Sequence, residues 1–195
     1  MLTLSATEQC LPPTALDELA SEGFTLIQGV DPLDMNRRME QMGLELGSST
    51  NTLGLISLRY CQPLPVHVEG LYHAETTPYF LLGCIAASAV GGQTQIYDAR
   101  IAARIMQAER PETADIVLEH RSALHQGLRN ATPLIVPHGE EAVLRFCDTP
   151  GNNQFLQTPK GFDEAEFYEY ARDVLDRSLV HSQDWQQGDV VIVNN

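Results

Sequence analysis

Two His-x-Glu pairs lie close together in the stretch His67-Val-Glu69-Gly-Leu-Tyr-His73-Ala-Glu75. On extended backbone, residues i and i+2 project to the same side. An imidazole and a carboxylate at that spacing can therefore hold one divalent metal ion between them. A single distant histidine completes the two-His, one-carboxylate facial set of non-haem Fe(II) sites, which leaves three coordination positions open. Either His67/Glu69 or His73/Glu75 has the spacing, and an ordinary exposed His and Glu share it too. The other histidines, His120, His125, His138 and His181, have no supporting context.

Composition narrows the chemistry. Twelve Lys and Arg against 26 Asp and Glu give a net charge of −14, the wrong field for a phosphate backbone, so nucleic acid is excluded as a partner and an anionic membrane surface gains little. Hydrophobic residues at 43% and charged residues at 19% describe a globular chain with a core, not a disordered one. No apolar run is long enough to cross a bilayer, and MLTLSATEQC lacks the layout of a signal peptide. Cys10, Cys61, Cys84 and Cys147 stand far apart with no CxxC spacing, so the expectation is four reduced, mostly buried thiols in a cytoplasmic protein.

The elements that must position these residues read as one domain over residues 1–195, without repeats or long linkers. A helix over Thr14–Ser21, with Leu16, Leu19 and Ala20 on one face, leads into a strand at Phe24–Ile27. Pro32 opens a second helix carrying Leu33, Met39, Met42 and Leu46, and Gly47 stops it. Strands follow at Leu53–Cys61, at the continuous apolar run Tyr79–Ala86 and at Thr94–Tyr97. Asp98 caps a helix through Glu109, and a further short helix runs from Pro111 through Glu119. Strands return at Leu134–Val136, Ala142–Cys147 and Val190–Val193. Between them Asp163 and Glu166 have capping-box spacing before a helix whose apolar stripe is Phe167, Tyr170, Ala171, Val174, Leu175 and Leu179. Strands towards both ends with helices between them indicate a sheet or barrel braced by helices.

The order of these motifs carries a resemblance. His67-x-Glu69, the apolar strand Leu81-Leu-Gly-Cys-Ile-Ala-Ala, Gly91-Gly-Gln-Thr94, Ile96-Tyr-Asp98 and the closing Trp185-Gln-Gln-Gly-Asp-Val-Val-Ile-Val-Asn-Asn195 resemble the taurine dioxygenase superfamily of Fe(II)/2-oxoglutarate oxygenases. The entry Leu16-Asp-Glu-Leu-Ala-Ser-Glu-Gly-Phe-Thr-Leu-Ile-Gln-Gly29 suits it as well, and the second histidine six residues after the first is closer to the clavaminate synthase-like branch. The resemblance implies an α+β, mainly β fold, a double-stranded β-helix (jelly roll) with supporting helices. It implies a hydroxylase that uses Fe(II), 2-oxoglutarate and O₂ on an unactivated C–H bond of an amino acid or derivative, in biosynthesis.

The resemblance also ranks the candidates. It favours His67 and Glu69 as metal ligands and catalytic residues, with His73 beside the pocket or structural. It gives Thr94 a hydrogen bond to a 2-oxoglutarate carboxylate, against the alternative of a β-branched residue that simply starts a strand. Gly91 and Gly92 are turn geometry, and Asn194 and Asn195 end a strand beside the pocket. Arg145 suits a substrate carboxylate, with a solvent-facing strand position as its alternative. The distal His and the 2-oxoglutarate-binding Arg of the family are expected beyond Asn195, which makes the chain read as truncated there. The rivals are a halogenase-like or desaturating variant, a non-catalytic jelly-roll binding protein, and a plain metal-dependent hydrolase. Glu69 speaks against the halogenase, which lacks the metal carboxylate.

Overall fold

The computed structural model describes residues 10–47, 66–68, 78–121, 129–148, 154–157 and 162–195. The strand expected at Leu53–Cys61, Glu69, His73, Glu75, Cys61 and His125 lie outside them. In chain order the elements are α1 (Ala15–Ser21), β1 (Phe24–Ile27), α2 (Met35–Glu45), β2 (Tyr79–Gly83), β3 (Thr94–Tyr97), α3 (Ala99–Glu109), β4 (Val117–Arg121), β5 (Arg129–Pro133), β6 (Ile135–His138), β7 (Glu141–Leu144), β8 (Gln154–Gln157), α4 (Glu164–Arg177), β9 (Leu179–Gln183) and β10 (Val190–Asn194). The result is a mixed helix and strand fold in which every described strand pairing is antiparallel.

The chain divides into two compact units. The first comprises residues 1–62, 77–93 and 184–195. Its sheet has the order β1-β10-β2. The central strand β10 is the most apolar segment, Val190-Val-Ile192, and all three residues are buried. A strand flanked on both edges has its backbone groups satisfied by neighbours, so it can read as a continuous apolar run. Leu11, Ala15, Leu19, Met35 and Met42 pack over Val190 and Ile192. The buried face of α1 is thus Ala15 and Leu19, whereas Leu16 is exposed. Leu33, expected on the face of the second helix, precedes α2 and lies in solvent. The expected buried strand at Tyr79–Ala86 ends at Gly83 and is half-buried along its length. Gly83 is what allows α2 to sit so close, because a Cβ there would meet the Met39 sulfur at 2.6 Å.

The second unit comprises residues 63–76 and 94–183. It holds a three-stranded sheet of order β5-β4-β8, the hairpin β6–β7 and the ribbon β3–β9. The hairpin turns through Gly139 at φ +63°. Its core gathers Ala102, Ala103 and Met106 of α3 and Phe167, Ala171 and Val174 of α4 around Leu134, Leu144 and Phe146. Phe146 meets Phe167 edge to face with ring centroids 6.1 Å apart. Such pairs add to what burial alone contributes.

Asp98 and Asp163 cap their helices as their spacing predicts, each carboxylate accepting two backbone N–H groups of the first turn. The reciprocal half of the capping box is not formed at α4, where Glu166 pairs instead with Arg110. The helix expected from Pro111 through Glu119 is a 3₁₀ turn at Pro111–Asp115 followed by β4. Ile116 and Leu118 are buried there, and tertiary pairing with two neighbouring strands outweighs the helical preference of a short segment. Leu179 leaves the α4 stripe for the same kind of reason. The helix ends at Arg177, and Leu179 starts β9 largely exposed.

One backbone approach in the first unit is unusually close. Val30 donates its N–H to the Gly188 carbonyl at 2.9 Å. Gly188 has φ +93°, and a Cβ there would sit 2.7 Å from the Val30 carbonyl oxygen. Gly188→Ala is expected to lower stability by about 2 kcal/mol or more, through left-handed strain and a clash with backbone. Gly47→Ala, at φ +83° with nothing within 4 Å, should cost only about 1 kcal/mol. Equal urea midpoints for the two variants would show that the approach to Val30 has no energetic weight.

Candidate active site

Of the residues singled out by spacing, His67 has the most definite backbone setting. It bridges Cys147 in antiparallel fashion. The Val68 N–H donates to the Phe146 carbonyl at 3.2 Å, and the Asp148 N–H donates to the Val66 carbonyl at 2.8 Å. The described segment 66–68 is therefore extended, and His67 is exposed. The bonds flank the His67–Cys147 pair, so these two form the closer, non-hydrogen-bonded type of pair and share a face.

The partner segment is itself fastened to a helix. Arg172 on α4 grips the Asp148 carboxylate with two bonds, Nε to Oδ2 and Nη2 to Oδ1, both 2.9 Å. That two-pronged geometry fixes direction as well as distance, and it holds the guanidinium charged. Phe146, in the same segment, is anchored in the core between Phe167 and Tyr168.

Arg145 immediately precedes this segment, and its N–H donates to the Leu134 carbonyl at 2.7 Å. It is half-buried instead of facing solvent, and burial pushes its guanidinium below the ordinary arginine value. The structure thus pairs His67 with Cys147, far away in sequence and two residues beyond Arg145. Spacing alone gave no sign of that pairing.

Thr94 begins β3, in register with Gln183 of β9 and half-buried. Gly91 and Gly92, at φ +69° and +88°, are exposed turn residues, as expected. The end of β3 is fixed by Asp98. Its N–H donates to the Ser178 carbonyl at 2.9 Å. Its carboxylate caps α3 and pairs with Arg100 at 2.9 Å. Burial acts to raise the Asp98 pKa, but the bonds from Arg100 and from the Arg100 and Ile101 amides outweigh it and hold the pKa below 3.8.

Asn194 and Asn195 end β10 in the first unit, donating backbone N–H groups to the carbonyls of Gly23 and Pro78. His138 is exposed on β6, and His120 stands in β4. His181 on β9 contacts Gln183, with Nε2 and Oε1 3.2 Å apart. Among the described residues no three His, Cys, Asp or Glu side chains are grouped to hold a metal ion. The donor chemistry of His67, an exposed imidazole on extended backbone, fits a divalent iron. Glu69 lies outside the described residues. Cys84 and Cys147 are buried and Cys10 half-buried, and none of the three is in a disulfide. No described helix is long and apolar enough to cross a membrane.

The sequence reading missed Asp148 and Arg172, which brace the segment paired with His67. Their roles depend on partners more than twenty residues away or across a strand pair, which local spacing does not reveal.

Comparison with known proteins adds the family. Residues 13–195 match the family described as taurine catabolism dioxygenase TauD, TfdA family. The fold is similar to that of PvcB from Pseudomonas aeruginosa, with TM-score 0.70 and 19% identity over 95% of this chain and 72% of that one. It is similar to AAD-2 solved with Mn(II) and N-oxalylglycine, with TM-score 0.67 and 16% identity over 97% and 82% of the two chains. A taurine dioxygenase from Burkholderia xenovorans gives TM-score 0.62 and 18% identity over 94% and 72%. At these identities the likeness is one of fold. No curated protein matches the sequence.

Asp98 generates a pH prediction. Its folded pKa lies below the ordinary value, so its stabilisation is complete above the unfolded pKa and is lost as pH falls through the folded one. Asp98→Ala should cost about 1 kcal/mol at neutral pH, and the gap to the parent protein should close below about pH 4. A gap that stays constant into acid would show that Asp98 acts through something other than its charge.

Proposed function

This chain belongs to the TauD/TfdA family, and on that premise we propose that it hydroxylates an unactivated C–H bond of an amino acid or amino-acid-derived metabolite, in the clavaminate synthase-like manner. It is a dioxygenase of the iron and 2-oxoglutarate class. We take its strands to close as a jelly roll within a single oxygenase domain working in the cytoplasm. The observation that carries the reading is a family match spanning residues 13–195, with His67 held on extended backbone inside it.

In this reading His67 and Glu69 hold Fe(II), completed by a second histidine, and Thr94 donates its hydroxyl to a carboxylate of 2-oxoglutarate. When bound, iron and 2-oxoglutarate supply the oxidising power for hydroxylation, with O₂ consumed and succinate and CO₂ released.

The chain's own residues bind and aim. His67 presents its imidazole from a segment that cannot twist freely, because backbone bonds hold Val66 and Val68 on either side of it. Thr94 offers a neutral donor, which suits a carboxylate without adding charge that would compete for the metal ligands. Arg145 takes the substrate's carboxylate. A half-buried guanidinium is already partly stripped of water, and its planar fork matches the two oxygens of a carboxylate. Holding the substrate by that distant group spends binding energy on orientation, which is what selects one C–H bond among several.

The direct test is the visible charge-transfer band that Fe(II) and 2-oxoglutarate give without oxygen. His67→Ala and Glu69→Ala should abolish it, while His73→Ala should keep it. Retention in His67→Ala with loss in His73→Ala would move the ligand set to the second His-x-Glu pair. Thr94→Val should keep iron binding and weaken 2-oxoglutarate by about tenfold or more, the scale of one hydrogen bond to a charged group.

Arg145 is tested by succinate release over a panel of amino acids and their amides. Arg145→Gln should raise KM for the acids at least tenfold and leave the amides unchanged. An equal effect on both would remove Arg145 from substrate recognition.

A further inference from the structure

One helix takes hold of the segment opposite His67 at two points. Phe146 and Asp148 stand before and after Cys147, and both reach α4. The Phe146 ring packs against Phe167 and Tyr168, with ring centroids 6.1 and 5.7 Å away. The Asp148 carboxylate accepts two bonds from the Arg172 guanidinium, each 2.9 Å. Residues i and i+2 of an extended segment share a face, and Tyr168 and Arg172, four apart, share a face of their helix. Cys147 lies between the two holds, and His67 stands directly across from it. A single hold would leave such a segment free to roll about its own axis. Two holds about 7 Å apart along it prevent that.

The apolar hold is accounted for by core packing, but the polar one is not. The Arg172 side chain is 48% exposed and that of Asp148 17%. An ion pair so open to water contributes little to stability. What its two parallel bonds do supply is direction, because a guanidinium fork meets a carboxylate in one plane.

We infer that Arg172 and Asp148 are positioning residues for the His67 imidazole, fixing the roll of the segment across from it and so the aim of that ligand. This rests on the reading of His67 as an iron ligand. The path is continuous. Arg172 fixes the Asp148 carboxylate, the Asp148 N–H donates to the Val66 carbonyl at 2.8 Å, and Val66 precedes His67. Without the fork the imidazole spreads over several directions, and a divalent ion is held less tightly although every ligand is still present.

The test is an anaerobic titration with Fe(II) at saturating 2-oxoglutarate, read by the charge-transfer band, with the thermal midpoint of the metal-free protein measured alongside. Arg172→Leu should weaken Fe(II) by about tenfold, the lower end of what is lost when a group supporting a metal ligand is removed. Arg172→Lys separates direction from charge. Lysine keeps the ion pair as a point charge but cannot fork, so the thermal midpoint should match that of the parent protein while Fe(II) still weakens several-fold. That variant also carries the test if Arg172→Leu does not fold. His67→Ala is measured beside them. Loss of the band in His67→Ala, with parental Fe(II) affinity in the folded Arg172 variants, overturns the positioning role and leaves His67 standing as a ligand. A band that persists in His67→Ala removes the ligand reading, and the inference falls with it. Arg172→Lys that matches the parent in both measurements, while Arg172→Leu loses Fe(II) affinity and thermal midpoint together, shows a pair that only supports the fold and also overturns the inference.

Discussion

Arg172 on α4 reaches two nitrogens onto the Asp148 carboxylate, and Asp148 in turn gives its backbone N–H to Val66. Through that relay a helix buried in the core of the second unit holds the short segment that displays His67. Among the described residues the segment makes two backbone bonds with its partner, too few to hold direction by themselves. The charged fork on one side and the ring of Phe146, packed between Phe167 and Tyr168, on the other supply what the ladder lacks. His67, the ligand proposed above, thus takes its direction from residues around its segment.

Elements with strong local signals were legible in the sequence. The Asp98 cap and the apolar periodicity after it gave α3 at its observed bounds, and Phe24–Ile27 and Thr94–Tyr97 were read as the strands they are. The strands β5, β8 and β9 were not legible. Arg129–Pro133 and Gln154–Gln157 alternate weakly, and their conformation comes from pairing with β4, a partner remote in sequence. β4 itself was misread as helix for the same reason. The candidate site was half legible. Residue type and spacing singled out His67, and the family resemblance Thr94, but nothing local could pair His67 with Cys147 or Thr94 with Gln183.

Charge is arranged differently in the interior and on the surface. Around α3 and α4, Glu109 receives both Arg177 and the Tyr170 hydroxyl, and Arg110 lies over the Tyr170 ring while pairing with Glu166. Burial and the nearby Glu109 carboxylate push the Tyr170 hydroxyl up to about 12, so it stays a donor throughout the physiological range. These exposed groups knit two helices together on the solvent side. The strand that displays Thr94 is governed instead by its ladder with β9, whereas the segment that displays His67 also leans on the partly exposed Arg172–Asp148 pair, so salt should act on the helices and that segment before it acts on β3.

The pairing of β1 with β10 places Phe24 opposite Val193 and Ile27 opposite Val190, joining an early segment of the chain to a very late one. During synthesis α1 and β1 emerge long before the strand that covers them. Until β10 arrives, β1 has an open edge and the apolar faces of α1 and α2 lack Val190 and Ile192. Closing that loop carries a large entropy cost before any contact repays it, so the first unit cannot be the folding nucleus. The second unit, built mostly from the single stretch 94–183 with a tight hairpin and two capped helices, can condense before β10 is made. The order in which the two units can fold during synthesis thus follows from the position of one strand.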